Sequence, residues 1–182
     1  MRTIEAIGDL QECLERYRNQ GKTIALVPTM GGLHKGHLQL VDKAKSLADI
    51  VVASIFVNPT QFAPHEDLDK YPHNPETDQK GLLDRGVDVL FLPSVEQIYP
   101  KSQTSDYEVG EIGQILCGKT RPTHFNGVAQ VVARFFDIVE PDVAVFGEKD
   151  YQQLQIIKQL VKRQNRKISI ASIEVVREDD GL

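Results

Sequence analysis

Two histidines and several glycines lie between a predicted strand and a predicted helix, in the segment PTMGGLHKGHLQLV (28–41). His34 and His37 are three positions apart, so a helix that begins here would place both imidazoles on one side. Between them, Gly36 carries no Cβ, which lets a phosphate come close to the backbone. The free N–H groups and the positive dipole end at a helix start also favour an anion. The segment therefore predicts a site for the triphosphate of a nucleotide.

Two other interpretations of this segment stay open. An H-x-x-H pair could supply two zinc ligands, but zinc needs a third ligand and usually a fourth, and no residue nearby has the spacing to supply them. The histidines could also be ordinary surface residues, since a Gly-Gly pair alone is only a turn. The strand before the segment and the helix after it favour the nucleotide site over both.

Two further segments carry polar side chains beside predicted elements. NPTQF (58–62) follows a strand and presents Gln61, whose amide can donate to a carboxylate and accept from a hydroxyl. From this segment alone, a solvated loop glutamine is the favoured interpretation. RPTHFNGVAQVV (121–132) brings Arg121 and His124 just before a buried helix. Two interpretations stay open: both side chains bind a ligand, or Arg121 pairs with a carboxylate of the protein.

The segment GEKDYQQL (147–154) follows another predicted strand. Lys149 would lie at the carboxyl edge of the sheet, where a compact positive charge suits phosphate. Asp150 and Gln153 have a structural interpretation that is about equally favoured, because D-x-x-Q at a helix start resembles a capping box.

The elements that must position these residues alternate between short apolar strands and helices. Strands are predicted at 23–27, 50–57, 87–92, 142–147 and 168–176, with one edge strand near 107–109. Helices are predicted at 7–19, 37–48, 75–85, 127–139 and 150–164. Such alternation is typical of an α/β fold with a doubly wound parallel sheet covered on both faces. Ligands of such sheets bind at the carboxyl ends of the strands, where the segments that start at Pro28, Asn58 and Gly147 begin.

Composition excludes several classes of protein. The 182 residues carry 21 Lys+Arg and 26 Asp+Glu, a net charge of −5, which disfavours nucleic-acid or anionic-membrane binding. The amino terminus carries charges throughout and lacks the apolar region of a secretory signal, and no apolar run is long enough to span a bilayer. The two cysteines form no disulfide framework and no C-x-x-C pair, which suits a reducing cytoplasm.

The motifs together resemble a known family. H-x-G-H in a doubly wound domain resembles the nucleotidylyltransferase superfamily, and PTMGGLHKGH, FVNPTQF, RPTHFNGV and FGEKDYQQL together resemble the pantothenate synthetase (pantoate–β-alanine ligase) family. The resemblance covers almost the whole chain and implies a Rossmann-like fold. It also implies ATP-dependent condensation of (R)-pantoate with β-alanine through a pantoyl adenylate, with Mg²⁺, releasing pyrophosphate and AMP.

The resemblance also implies roles for individual residues. The predicted catalytic residues are His34, His37 and Lys149. His37 is predicted to donate to the α-phosphate, and its ring is expected to be charged when anions surround it. The predicted ATP-binding residues are Met30, Gly31, Gly32, Leu33, His34, Lys35, Gly36, His37, Gly147, Glu148, Lys149, Asp150 and Val176. Gln61 and Gln153 are predicted to bind pantoate, and Gln61 is also predicted to lie near the β-alanine site. Asp78 is predicted to lie near the metal.

Domain organisation and partners follow from the same resemblance. We expect residues 1–176 to form the Rossmann-like ATP- and pantoate-binding domain and 177–182 to begin a smaller carboxyl-terminal domain that covers the ATP site. The chain is thus expected to be an amino-terminal domain of low activity by itself, cytoplasmic and homodimeric, that binds small molecules only. Two other functions stay open: another H-x-G-H nucleotidylyltransferase, and a nucleotide-binding domain without chemistry.

Overall fold

The computed structural model describes residues 1–62, 71–72, 74–100 and 108–181. Within these ranges, six parallel strands form one sheet: β1 Arg2–Ile4, β2 Ile24–Thr29, β3 Ile50–Ile55, β4 Val89–Phe91, β5 Val143–Gly147 and β6 Ser169–Ile173. The α-helices are α1 Ile7–Arg18, α2 Lys35–Lys45, α3 Pro75–Asp84, α4 Val95–Ile98, α5 Cys117–Thr120, α6 His124–Val139 and α7 Tyr151–Arg163. Short 3₁₀ turns span Pro59–Gln61, Glu111–Gly113 and Glu148–Asp150. None of the helices in these ranges is long and apolar enough to cross a membrane.

The strand order of the sheet determines where a ligand can enter. The order is β1-β4-β3-β2-β5-β6. From β2 the chain moves outward through β3 to β4, and then returns to the other side of β2 for β5 and β6. The direction of winding therefore reverses between β2 and β5, and a crevice opens there at the carboxyl ends of the strands. The predicted doubly wound α/β fold is confirmed.

Alternating side chains of the central strands build two apolar layers. In β2, Ile24 and Leu26 pack into the layer formed with α1, α6 and α7, whereas Ala25 and Val27 pack into the layer formed with α2 and α3. Successive side chains of a strand point to opposite faces, so a strand between two helical layers is apolar at every position. This explains why the strands read as continuous apolar runs.

Most predicted elements occur, with shifted ends. Helices α2 and α6 begin earlier than predicted, at Lys35 and His124, and β6 ends at Ile173. The edge strand β1 was not predicted, because three residues with two exposed side chains leave no alternating pattern. Of the edge strand expected at 107–109, residue 107 lies outside the described ranges, and the prediction is wrong for Val109, which lies in no strand.

Aspartates just before three strands tie neighbouring strands together at the amino edge of the sheet. Each carboxylate accepts the N–H at the start of an adjacent strand: Asp49 from Thr23, Asp88 from Val51 and Asp142 from Ile24. Asp49 is the exposed member of this set. The hydrogen bonds that it accepts from Thr23, chiefly that from the backbone N–H, lower the pKa of Asp49. The three carboxylates therefore help to fix strand register.

We expect Asp142→Ala to lower the free energy of unfolding by about 1–3 kcal/mol, because the part-buried N–H of Ile24, 2.7 Å from the carboxylate, loses its acceptor. Asp142→Asn, which keeps one acceptor oxygen, should cost less. Asp84→Ala, at an exposed helix end, is the matched control and should change stability by less than about 0.5 kcal/mol. Urea unfolding measures all three, and an unchanged midpoint for Asp142→Ala would contradict the role.

Candidate functional site

A cleft of about 540 Å³ opens at the carboxyl ends of the strands, where the winding reverses. Segments that follow β2, β3, β5 and β6 line it together. The predicted site residues that the structure brings into this lining are Met30, Gly31, Gly32, His34, Gly36, His37, Gln61, Gly147, Lys149, Asp150, Gln153 and Val176. Residues distant in the chain thus meet in one cavity. A second depression, between β1 and α1, contains none of the predicted residues.

Four predicted residues lie outside the lining of this cleft. The Leu33 side chain packs against the apolar layer beneath α2, and Lys35 is exposed at the first position of that helix. Glu148 accepts a hydrogen bond from Ser172 Oγ at 2.8 Å. The buried carboxylate of Asp78 accepts from backbone N–H groups and borders a neighbouring cavity. Their predicted roles toward ATP and metal stay predictions.

The two histidines at the start of α2 cap the helix with their own rings. His34 Nδ1 accepts from the N–H of Gly36 at 3.1 Å, and His37 Nδ1 accepts from the N–H of His34 at 3.3 Å. Because Nδ1 of each ring is an acceptor, the proton of the neutral imidazole lies on Nε2. Both rings line the cleft with their centroids 4.1 Å apart. The pair therefore offers two neutral N–H donors to a ligand.

Burial, more than charge, controls the protonation of His37. Desolvation, the largest cause, and the nearby His34 together lower the pKa of His37 from 6.5 to about 4, although the carboxylate of Asp78 acts in the opposite direction. Lys149 and Asp150 also act on it, with opposite signs. In the free protein at neutral pH, His37 is thus an uncharged donor, in contrast to the charged donor expected with anions around it.

Gln61 has a fixed amide orientation because Asn58 holds it. Asn58, buried at the end of β3, accepts with Oδ1 from the Tyr99 hydroxyl at 2.7 Å and from Thr60. Its Nδ2 must then be the donor to Gln61 Oε1 at 3.2 Å. Gln61 Nε2 is left to point toward the cleft, where it contacts Met30 Sδ. The arrangement presents a donor suited to a carboxylate.

Gly127 lets helix α6 approach the Gln61 turn very closely. A Cβ at this position would lie 2.5 Å from the Thr60 carbonyl oxygen and 2.8 Å from the Gln61 nitrogen. The Gly127 carbonyl also accepts from Asn58 Nδ2 at 3.1 Å. The position of Gln61 therefore depends on a glycine more than sixty residues further along the chain.

The segment after β5 places a cation and two polar groups in one wall of the cleft. Lys149 has 71 % of its side chain exposed and pairs with Asp150, with Nζ 3.4 Å from the carboxylate. Asp150 precedes α7 without a side-chain capping hydrogen bond, so the capping-box interpretation is wrong here. Asp150 and Gln153 instead line the cleft. This wall can attract phosphate and donate hydrogen bonds.

Arg121 and His124, for which the sequence left a ligand role open, do line the cleft, and His124 Nδ1 lies 3.0 Å from the Gln61 carbonyl oxygen. Three supporting residues of the site escaped the sequence interpretation: Asn58, Tyr99 and Gly127. Strand-end position is a signal for Asn58, whereas Tyr99 and Gly127 become visible only in three dimensions.

We expect NMR titration of the free protein to give a pKa of about 4 for His37, so that its ring stays neutral from about pH 5 upward. An unfolded histidine titrates near 6.5, so the unfolded chain binds the proton first, and this group's contribution to stability falls as pH drops from about 6.5 toward 4. His34→Ala should raise the pKa of His37 only in part, because desolvation is the larger cause. A value near 6.5 in the wild-type protein would contradict this account.

Gly127→Ala should destabilise the protein by about 1–3 kcal/mol, although alanine normally favours a helix interior over glycine. The new Cβ would clash with the backbone of Thr60 and Gln61, and backbone cannot move aside as a flexible side chain can. Gly8→Ala, in α1 with no atom within 4 Å of the new Cβ, is the matched control and should be neutral or slightly stabilising. Thermal melting compares them, and equal midpoints would contradict the close approach.

Comparison with known proteins gives a consistent result. The family model described as pantoate-beta-alanine ligase matches residues 2–182. A pantothenate synthetase of Ruthia magnifica subsp. Calyptogena magnifica is 56 % identical over 95 % of this chain and 62 % of its own length. That of Rhizobium meliloti (strain 1021) is 52 % identical over 100 % of this chain and 62 % of its own. The chain thus spans less than two thirds of these curated relatives.

Solved structures agree with the sequence relatives. Pantothenate synthetase from Thermus thermophilus superposes with a TM-score of 0.94 at 44 % identity, over 100 % of this chain and 64 % of that one. Pantoate-beta-alanine ligase from Francisella tularensis, complexed with beta-gamma ATP and beta-alanine, gives 0.95 at 42 % identity, over 100 % and 70 %. The motifs, the fold and the comparisons all lead to one conclusion: this chain belongs to the pantoate–β-alanine ligase family.

Proposed function

We propose that the protein condenses (R)-pantoate with β-alanine to pantothenate at the expense of ATP, and that residues 1–176 form its ATP- and pantoate-binding domain. The observation that carries the proposal is the meeting of four segments in one cleft, which combines paired histidines, a lysine and two glutamines. The Francisella tularensis relative forms a complex with beta-gamma ATP and β-alanine.

In the first step, a carboxylate oxygen of pantoate forms a bond to the α-phosphorus of ATP, and the bond from that phosphorus to the bridging oxygen breaks. Pyrophosphate leaves with the electron pair, and pantoyl adenylate remains. The neutral Nε2–H groups of His34 and His37 are suited to donate to oxygens of the phosphate chain, where negative charge develops. Donors aimed at that charge lower the barrier more than donors that bind ground-state ATP equally well.

The two glutamines are suited to hold the acid. Gln61 offers Nε2, and Gln153 reaches the same cleft from the first turn of α7. Pantoate carries two hydroxyls and one carboxylate, and amide groups can both donate and accept. This pairing favours an acceptor of that kind over a phosphorylated one, which would require more cationic side chains.

Charge repulsion between carboxylate and triphosphate requires countercharge in the cleft. Two unit charges 4 Å apart repel by about 1 kcal/mol in water and about 4 kcal/mol at an effective dielectric of 20. Lys149 and the start of α2 supply part of this countercharge. Mg²⁺ would neutralise part of the triphosphate charge when bound, and Asp150 and Glu174, the acidic residues of the cleft lining, would be the residues to hold it.

In the second step, the amine nitrogen of β-alanine forms a bond to the acyl carbon of pantoyl adenylate. The bond from that carbon to the phosphate oxygen breaks, AMP leaves, and the nitrogen loses a proton. Arg121 and His124, which lie beside Gln61 in the cleft, are positioned on the side where the acyl group would lie. The family resemblance adds the proposals of a homodimer and of a cytoplasmic location; sedimentation of the full-length protein tests the first.

The full-length protein mixed with ATP and pantoate should release pyrophosphate, and addition of β-alanine should then yield pantothenate and AMP. His37→Ala should lower the rate of adenylate formation about 10²- to 10³-fold with a much smaller change in ATP affinity. Lys43→Ala, at an exposed position in the last turn of the same helix and outside the cleft lining, is the matched control and should leave the rate nearly unchanged.

Pyrophosphate release and ATP binding by isothermal titration provide the two readouts. Binding of ATP without pyrophosphate release would favour a nucleotide-binding domain without chemistry. Transfer of AMP to a phosphorylated acceptor in place of pantoate would favour another nucleotidylyltransferase. Equal losses of rate and affinity in His37→Ala would contradict the proposed role of this ring.

A further inference from the structure

Asp78 carries a buried carboxylate that the cleft does not use directly. The residue is 3 % exposed, in the first turns of α3. Its Oδ2 accepts from the N–H of Gly32 at 2.8 Å and its Oδ1 from the N–H of Leu33 at 2.7 Å. Both oxygens are therefore engaged by the backbone of the loop that precedes the two histidines.

That loop has a backbone conformation that needs such support. Gly31 and Gly32 have φ values of +86° and +63°, in the left-handed region. A side chain on Gly31 would meet Asp78 Oδ2 at 3.2 Å, so the carboxylate packs directly against the turn. The N–H groups of Gly32 and Leu33 point toward α3. Among the hydrogen bonds of the described chain, only the Asp78 carboxylate accepts from them.

A role as metal ligand fits this geometry less well. Asp78 borders a neighbouring cavity of about 370 Å³, lined largely by apolar residues, and is not among the residues that line the main cleft. No group of three His, Cys, Asp or Glu side chains suited to a metal occurs in the part of the chain that the structure describes. The acidic residues among those that line the cleft are Asp150 and Glu174.

We propose that Asp78 is a positioning residue, whose carboxylate clamps the N–H groups of Gly32 and Leu33 and so places His34 and His37 for the phosphates. The inference rests on the proposed function for its catalytic consequence, but the clamp itself is a property of the free protein. Since Leu33 is followed directly by His34, which caps α2, a displaced clamp would shift both imidazoles together. Its charge also reaches His37, whose pKa it raises.

The test combines amide exchange with kinetics in the full-length protein. In the wild type, the amides of Gly32 and Leu33 should exchange slowly with or without Mg²⁺ and ATP. In Asp78→Asn, one of the two N–H groups faces an amide donor, so their exchange should accelerate about tenfold or more. Adenylate formation should fall by a similar factor or more, while the Mg²⁺ concentration for half-maximal rate stays within about twofold.

The controls separate the clamp from a general loss of structure. Asp84→Asn, on the exposed end of the same helix, should change none of these quantities. A rise in the half-maximal Mg²⁺ concentration, with both amides still protected in Asp78→Asn, would overturn the proposal in favour of a metal ligand. If Asp78→Asn does not fold, rapid exchange of the two amides in the wild type overturns it, and slow exchange supports it. These amides report on the clamp even if the protein proves to catalyse another reaction.

Discussion

The reversal of winding between β2 and β5 is the constraint on which the rest of the structure depends. Because strands on either side of this point connect in opposite directions, no helix of the described residues covers the carboxyl ends between them, and a crevice results. The segments after β2, β3, β5 and β6 all begin at this edge and meet in the crevice. Glycine-rich backbone, imidazoles, amides and a lysine come together for that reason, and no single segment could supply them all.

The electrostatics of the cleft favour neutral donors over fixed positive charge. His37 is desolvated and stays uncharged at neutral pH, and the Lys149 ammonium is exposed and partly balanced by Asp150. Weak net charge would suit the proposed reaction, in which both a triphosphate and a carboxylate bind and pyrophosphate leaves. Binding of the phosphates themselves would favour protonation of the nearby imidazoles, so ligand and proton are coupled in this site.

The fold and most cleft residues could be predicted from the sequence, because they obey local rules. Apolar runs revealed β2, β3 and β5, and glycines and histidines beside a strand end revealed the loop before α2. The supporting contacts could not be predicted. The Tyr99 hydroxyl orients Asn58, and the missing side chain of Gly127 leaves room for the Gln61 turn. Both contacts join distant segments, so they leave no pattern in the neighbouring residues. The tautomers of the histidines likewise depend on their hydrogen bonds in three dimensions.

We infer that four distant segments form one site for ATP and a hydroxy acid. Amide chemical-shift changes on titration with a non-hydrolysable ATP analogue and then with pantoate measure whether these segments respond together. We expect the nucleotide to shift amides around His34, Lys149 and Val176 together, and pantoate to shift those of Gln61 and Gln153. Shifts confined to one segment, or centred on the depression between β1 and α1, would contradict the account.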